Sequence, residues 1–251
     1  MQKTLRLFPA GQRIKGMPSI EKILITGASS GIGRALALRL AKRSFQLALS
    51  GRNAEKLQAV AAEAGGTHIH TFPADLIVPH AAARVVQAAH QALGGLDAVV
   101  HCAGIGLIKP TLDTTDAEFV SVTNLNIRGT FLIAQEACRL MAPQKHGLFI
   151  TVPGILGKAA MKNAAAYCAS KFAVTGLIKV FAQEFQRSGI RFTLAYLGGV
   201  DSPFWDDMGM AVQRDKMIPA DYAAQLLELS IDSPSHLALN EIVLQPESNQ
   251  L

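Results

Sequence analysis

From residue 21 to residue 245 the chain alternates short apolar runs with segments whose apolar residues recur every three to four positions, and turn residues punctuate the boundaries. Strand-like runs that alternate with helix-period segments imply βαβ units and a parallel sheet. The strands are expected near 22–26, 46–50, 67–72, 97–102, 147–152, 191–196 and 240–244, and the helices at 31–43, 54–64, 79–93, 116–140, 167–187 and 219–230. Seven strands fit one doubly wound α/β sheet. A chain of 251 residues, 49% hydrophobic and 17% charged, buries enough core to fold as a single domain without disulfides. In open sheets of this kind ligands bind beyond the carboxyl ends of the strands, so function is sought in the loops after each strand.

Other classes lose their footing on composition. The longest apolar runs, such as 23–25 and 131–134, fall far short of the roughly 20 residues that cross a bilayer, so no membrane association is expected. Cys102, Cys138 and Cys168 are odd in number and widely spaced, which suits a reducing, cytoplasmic setting. The net charge of +5 is concentrated at the start: residues 1–16 carry Lys3, Arg6, Arg13 and Lys15 and no acid. That stretch reads as a disordered basic extension, or as an overlong start ahead of Met17, and the domain as residues 17–251. With the body nearly neutral, no nucleic-acid partner is expected. His68 and His70 alternate along a strand without a spacing-matched carboxylate, so no metal is expected.

The loop after the first strand is Thr26-Gly27-Ala28-Ser29-Ser30-Gly31-Ile32-Gly33, and the helical run that begins at Arg34 follows it. Glycines let the backbone approach a pyrophosphate, and the free N–H groups at a helix start favour its charge. Gly27, Ser29, Ser30, Gly31, Ile32 and Gly33 are therefore candidate cofactor contacts. The second strand runs into Ser50-Gly51-Arg52, and no Asp or Glu occurs between Glu21 and Glu55. A carboxylate that would bond a ribose 2′-hydroxyl is absent, and Arg52 would attract a 2′-phosphate. NADP(H) is the expected cofactor and NAD(H) the alternative.

The Gly-x-x-x-Gly-x-Gly spacing after a Thr resembles the fingerprint of the short-chain dehydrogenase/reductase family, which implies a Rossmann-like fold. Tyr167-Cys168-Ala169-Ser170-Lys171 resembles the family's Tyr-x-x-x-Lys signature. Tyr and Lys at i and i+4 project from one helix face, so the ammonium is expected to draw the phenol pKa down toward working pH. Tyr167 would then act as general acid or base, and the resemblance gives Lys171 the nicotinamide ribose as well. Asn126-Ile127-Arg128-Gly129 is similar to the family's Asn-x-x-Gly. Asn126 either bends its helix and supports a proton relay or is a polar residue facing solvent.

The resemblance also implies cofactor contacts from Asp75 and Leu76 after the third strand, and from Ala103 and Gly104 in His101-Cys102-Ala103-Gly104. His101 and Cys102 replace two amides and read as packing residues. Val200 and Ser202, in a loop similar to the family's Pro-Gly-x-x-x-Thr, would meet the nicotinamide carboxamide. Residues 203–218, which include Phe204 and Trp205, suggest a short lid over the substrate.

One departure stands out. The family's serine, thirteen residues before the Tyr, is here Gly154, and no Ser or Thr occurs between Val152 and Ala166. Loss of one donor to a developing oxyanion costs about 10²–10³ in kcat. The expected activity is NADP(H)-dependent hydride transfer between nicotinamide and a carbonyl or alcohol substrate, and the alternative is a catalytically weak or silent NADP(H)-binding scaffold or redox sensor. Residues 172–185 are apolar on more than one face, and with the family habit this suggests a homodimer or homotetramer.

Overall fold

The computed structural model describes residues 19–65, 68–206, 208 and 210–248. The basic extension 1–16, Met17 and Thr67 lie outside the described residues. The elements run β1 (Lys22–Thr26), α1 (Gly31–Ala41), β2 (Gln46–Gly51), α2 (Ala54–Ala64), β3 (Ile69–Pro73), α3 (Ala81–Leu93), β4 (Ala98–His101), α4 (Asp116–Thr123), α5 (Thr130–Met141), β5 (Gly147–Thr151), α6 (Ala165–Glu184), β6 (Ile190–Leu197), β7 (Val200–Asp201), β8 (Ile218–Pro219), α7 (Ala220–Asp232) and β9 (Glu241–Leu244).

Seven strands form one sheet in the order β3-β2-β1-β4-β5-β6-β9, and every pairing is parallel. All five residues of β5 and all eight of β6 are buried, as in a parallel strand covered on both faces. One apolar layer sets Leu36, Leu40, Leu57, Ala224 and Leu227 of α1, α2 and α7 against the sheet. The opposite layer draws Val85, Ala89, Ile133, Ala137, Ile178 and Phe181 from α3, α5 and α6. Chain order reverses at β1, which lies between β2 and β4, and this opens a crevice at the strands' carboxyl ends.

Helix ends follow local chemistry. The Asn53 side chain accepts from Lys56 N at 2.7 Å to start α2, and Gly65 closes it at φ 64°. Thr115 and Glu118 form a reciprocal capping box at α4. The single helix expected over 116–140 is a correction. It is interrupted by a π-helical turn, Asn124–Gly129, in which the 3.6 periodicity slips. Helix α6 begins at Ala165, two residues before Tyr167. The two-residue pair β7–β8 is too short to leave a periodic signal.

Helix α6, twenty residues with polar positions among the apolar ones, is long and apolar enough to cross a membrane by length and composition. In this fold it is a layer helix. Val174, Ile178 and Phe181 face the core, Lys171 is buried, and Phe172 and Val180 are exposed.

Candidate active site

The loop from β1 to α1 is held between the neighbouring strands. Ala28 N donates to Ser50 O at 3.0 Å, and Cys102 N donates to Thr26 O at 3.1 Å. Its glycines are required by contact, since a Cβ on Gly33 would lie 2.5 Å from Gly27 O, and one on Gly27 would lie 2.7 Å from Ala103 N. Ser30, extended at the start of α1, makes no side-chain cap, and the first turn holds no acid. The N–H groups there point at a ligand with the helix dipole behind them.

That loop borders a cavity of about 1150 Å³ at the carboxyl ends of the strands. Gly27, Ser29, Ser30, Gly31, Ile32, Gly33, Arg52, Leu76, Ala103, Gly104, Tyr167, Lys171, Val200 and Ser202 all line it, so the structure brings together nearly every residue singled out from sequence. Asp75 is not among the lining residues, and its carboxylate accepts from Ile77 N at 3.2 Å in a local turn. Lys56, which sequence reasoning passed over, joins Arg52 at the rim. The signal was available: Arg52 and Lys56 are four residues apart across the Asn53 cap.

Tyr167 and Lys171 occupy successive turns of α6, with the Lys171 Nζ 5.4 Å from the Tyr167 ring centroid. Lys171 donates to Val152 O at 3.3 Å. Its burial pushes the ammonium pKa down to about 8. Tyr167 corrects the expected downward shift, because burial raises its pKa well above the ordinary phenol value. Desolvation penalises the phenolate more than the nearby ammonium favours it.

Asn126 is 1% exposed, which removes the solvent-facing reading. It does not line the cavity but braces it. Its Oδ1 accepts from Ile105 N at 2.9 Å, and its Nδ2 donates to Ile105 O at 2.8 Å and to Ser170 Oγ at 2.9 Å. Ser170 in turn donates to Tyr167 O at 2.7 Å. A Cβ on Gly104 would lie 3.2 Å from Asn126 Oδ1 and 3.4 Å from Lys171 Nζ, so the Gly104 loop, the brace and the lysine meet at one point.

His101 is a packing residue with two partners: Thr26 Oγ1 lies 2.7 Å from Nδ1 and Thr130 Oγ1 lies 3.0 Å from Nε2. Burial, helped by the Lys171 charge, lowers its pKa to about 3, so it stays neutral. Cys102 is half-buried and lines the cavity, and burial holds its thiol up at about 12. Gly154 also lines the cavity, with φ 70° and ψ 175°.

The segment after β7 covers the remaining side. Phe204 lies 5.9 Å from Tyr167 and 5.3 Å from Trp205 by ring centroids. Trp205 Nε1 donates to Val200 O at 2.9 Å. Arg214 binds Asp201 at 2.8 Å and Ser202 O at 3.1 Å, and also pairs with Asp206.

Comparison with known proteins agrees with this arrangement. Residues 21–212 match the family model described as short chain dehydrogenase. An uncharacterised oxidoreductase of Staphylococcus aureus is 32% identical over 223 residues, which cover 89% of this chain and 96% of the relative. Sepiapterin reductase of Chlorobaculum tepidum is 31% identical over 238 residues, covering 91% and 97%. The crystal structure of a metagenomic short-chain oxidoreductase in complex with NADP superposes with a TM-score of 0.78 at 26% identity, covering 90% of this chain and 96% of that one. A family match across most of the chain, on a fold whose glycine loop and Tyr167–Lys171 pair share one cavity, makes this protein a member of the short-chain dehydrogenase/reductase family of oxidoreductases.

Proposed function

We propose that the protein uses NADP(H), in preference to NAD(H), to move a hydride between nicotinamide and the carbonyl or alcohol carbon of a small molecule. The observation that carries this reading is that Tyr167 and Lys171 stand in the wall of the same cavity that the glycine loop opens into. The glycine loop, packed so tightly that a Cβ on Gly27 or Gly33 would strike neighbouring backbone, borders the cavity at the start of α1 and fits a pyrophosphate. The volume exceeds the roughly 300–1,000 Å³ of an ordinary ligand pocket and suits a dinucleotide with a substrate beside it.

Bound nicotinamide supplies or accepts the hydride. Tyr167, kept protonated by its burial, donates its hydroxyl proton to the substrate oxygen in reduction and takes it back in oxidation. Lys171 holds the nicotinamide ribose, and its charge favours the phenolate as the proton leaves. Asn126 positions Tyr167 and the Ile105 loop through its hydrogen bonds. Arg52 and Lys56 receive the 2′-phosphate; among the described lining residues the one carboxylate is Asp206, which pairs with Arg214. Leu76 would meet the adenine, with Asp75 left out because its carboxylate serves a local turn, and Ala103, Gly104, Val200 and Ser202 would meet the nicotinamide end. Residues 203–206, 208 and 210–218 would form the lid.

Gly154 motivates a second reading, a nucleotide-binding scaffold or sensor with weak chemistry, because no side-chain hydroxyl stands at that position. Consumption of NADPH with a panel of reactive ketones and diketones separates the two. Turnover supports the reductase. Tight NADPH binding without turnover on any carbonyl supports the scaffold.

A further inference from the structure

The substrate end of the cavity differs in character from the nucleotide end. Arg52 and Lys56 belong to the nucleotide rim, whereas Ile155, Leu156, Met161, Phe204 and Met208 surround the Tyr167 side. Of the charges that the described residues of the 203–218 segment bring to the cavity, Asp206 is paired with Arg214, and Lys216 is exposed.

Phe204 occupies a specific place in this apolar end. Its ring lies 5.9 Å from that of Tyr167 with the planes inclined at 33°, and Trp205 meets it edge-on at 5.3 Å and 86°. Gly106 makes this possible, because a Cβ there would lie 2.4 Å from Phe204 Cζ and 3.2 Å from Met208 Sδ. Trp205 is tied to Val200 O and Arg214 ties the surrounding segment, while the Phe204 ring packs against the Tyr167 and Trp205 rings and Gly106. A substrate whose oxygen reaches the Tyr167 hydroxyl must therefore lie against the Phe204 ring or take its place beside Tyr167. Either position offers aromatic faces and thioethers, which favour a flat π-surface over a puckered one.

We infer that this site takes carbonyl compounds, and their alcohols, in which the reacting carbon is attached to a flat ring, and that Phe204 is the specificity-determining residue. This inference rests on the proposed carbonyl/alcohol reading of the site. The chain's single tryptophan, Trp205, stands against Phe204, so its fluorescence reports occupancy without any turnover.

The test titrates NADP⁺-saturated protein with 1-phenylethanol and with 1-cyclohexylethanol, which have the same carbon skeleton with a flat or a puckered ring. The expected result is binding of 1-phenylethanol about fivefold to tenfold tighter than 1-cyclohexylethanol. In Phe204→Leu the ratio should fall to within about twofold. Phe204→Met, with a flexible side chain, gives the same readout if the leucine variant does not fold. Equal binding of the two ring alcohols, a ratio that survives loss of the Phe204 ring, or no binding of either ring alcohol would each overturn the inference. Failure of the carbonyl reading is seen separately, as NADPH binding with no turnover on any ketone.

Discussion

The Thr130 hydroxyl donates to the main-chain oxygen of Asn126 at 2.6 Å, in the turn that interrupts the helix. A hydroxyl has one proton to give, so His101 Nε2 must be the donor to Thr130 and Nδ1 the acceptor from Thr26. This chain ties the start of the glycine loop to the Asn126 brace. His101→Leu leaves the buried Thr26 hydroxyl without its acceptor, while Thr130 keeps its bond to Asn126 O, and is expected to cost about 1–3 kcal/mol in denaturant unfolding. A loss below about 0.5 kcal/mol would show that the chain contributes nothing to the fold.

The His101 chain also carries a pH signature. With a folded pKa of about 3 against an ordinary 6.5, the unfolded chain binds the proton first as pH falls. The histidine's contribution is complete above pH 6.5 and is lost between there and pH 3. His101→Gln should therefore lose less stability than the native protein between pH 6.5 and 4, measured by unfolding at each pH. Parallel curves would contradict a buried neutral imidazole.

Lys171 works in the opposite part of the scale. Its folded pKa of about 8 lies below the ordinary 10.5, so between those values the unfolded state holds the extra proton and stability rises with pH. The buried ammonium is a burden below pH 8 that disappears toward pH 10.5. Lys171→Met is expected to raise Tm at pH 7 and to lose that advantage by about pH 10, while turnover collapses. A Tm gain independent of pH would reject this origin.

Gly154 is held to glycine by its backbone. At φ 70° and ψ 175° it sits where side-chain-bearing residues are strained, and it is pinned by Gly154 N to Ala195 O at 3.2 Å and by Gly157 N to Gly154 O at 3.0 Å. Gly154→Ser and Gly154→Ala are both expected to lose about 1–3 kcal/mol, and the serine should turn over ketones no faster than the alanine. A serine variant of native Tm with turnover raised a hundredfold would mean that the loop accepts the side chain and that the hydroxyl was the missing part.

Much of this molecule is readable from its residues because two periodicities carry it. The alternation of apolar runs and helical segments yields the seven-stranded sheet, and the resemblance to the short-chain dehydrogenase/reductase motifs joins the glycine loop to Tyr167 of α6. What escapes is whatever depends on depth or on contacts between distant segments. Four-residue spacing puts Lys171 beside Tyr167 but says nothing of burial, which reverses the expected phenol shift. The π-turn at Asn124–Gly129 keeps helical composition while its register slips. Gly106 acquires meaning only once Phe204, nearly a hundred residues later, is packed upon it.

Cofactor choice is tested at the rim. Arg52→Asp should invert the NADPH to NADH preference in kcat/KM, and Lys56→Glu should weaken NADPH with little effect on NADH, because both remove charge facing a 2′-phosphate. An unchanged ratio in both variants would remove the basis for preferring NADP(H).

The most direct test of hydride transfer through Tyr167 compares NADPH oxidation by the native protein and by Tyr167→Phe across a set of ketones and diketones, with NADPH affinity measured in parallel. The account predicts native turnover, a fall of about 10²–10⁴ in the variant, and NADPH affinity within about twofold. Turnover that survives Tyr167→Phe, or NADPH bound by both proteins and oxidised by neither, would contradict it.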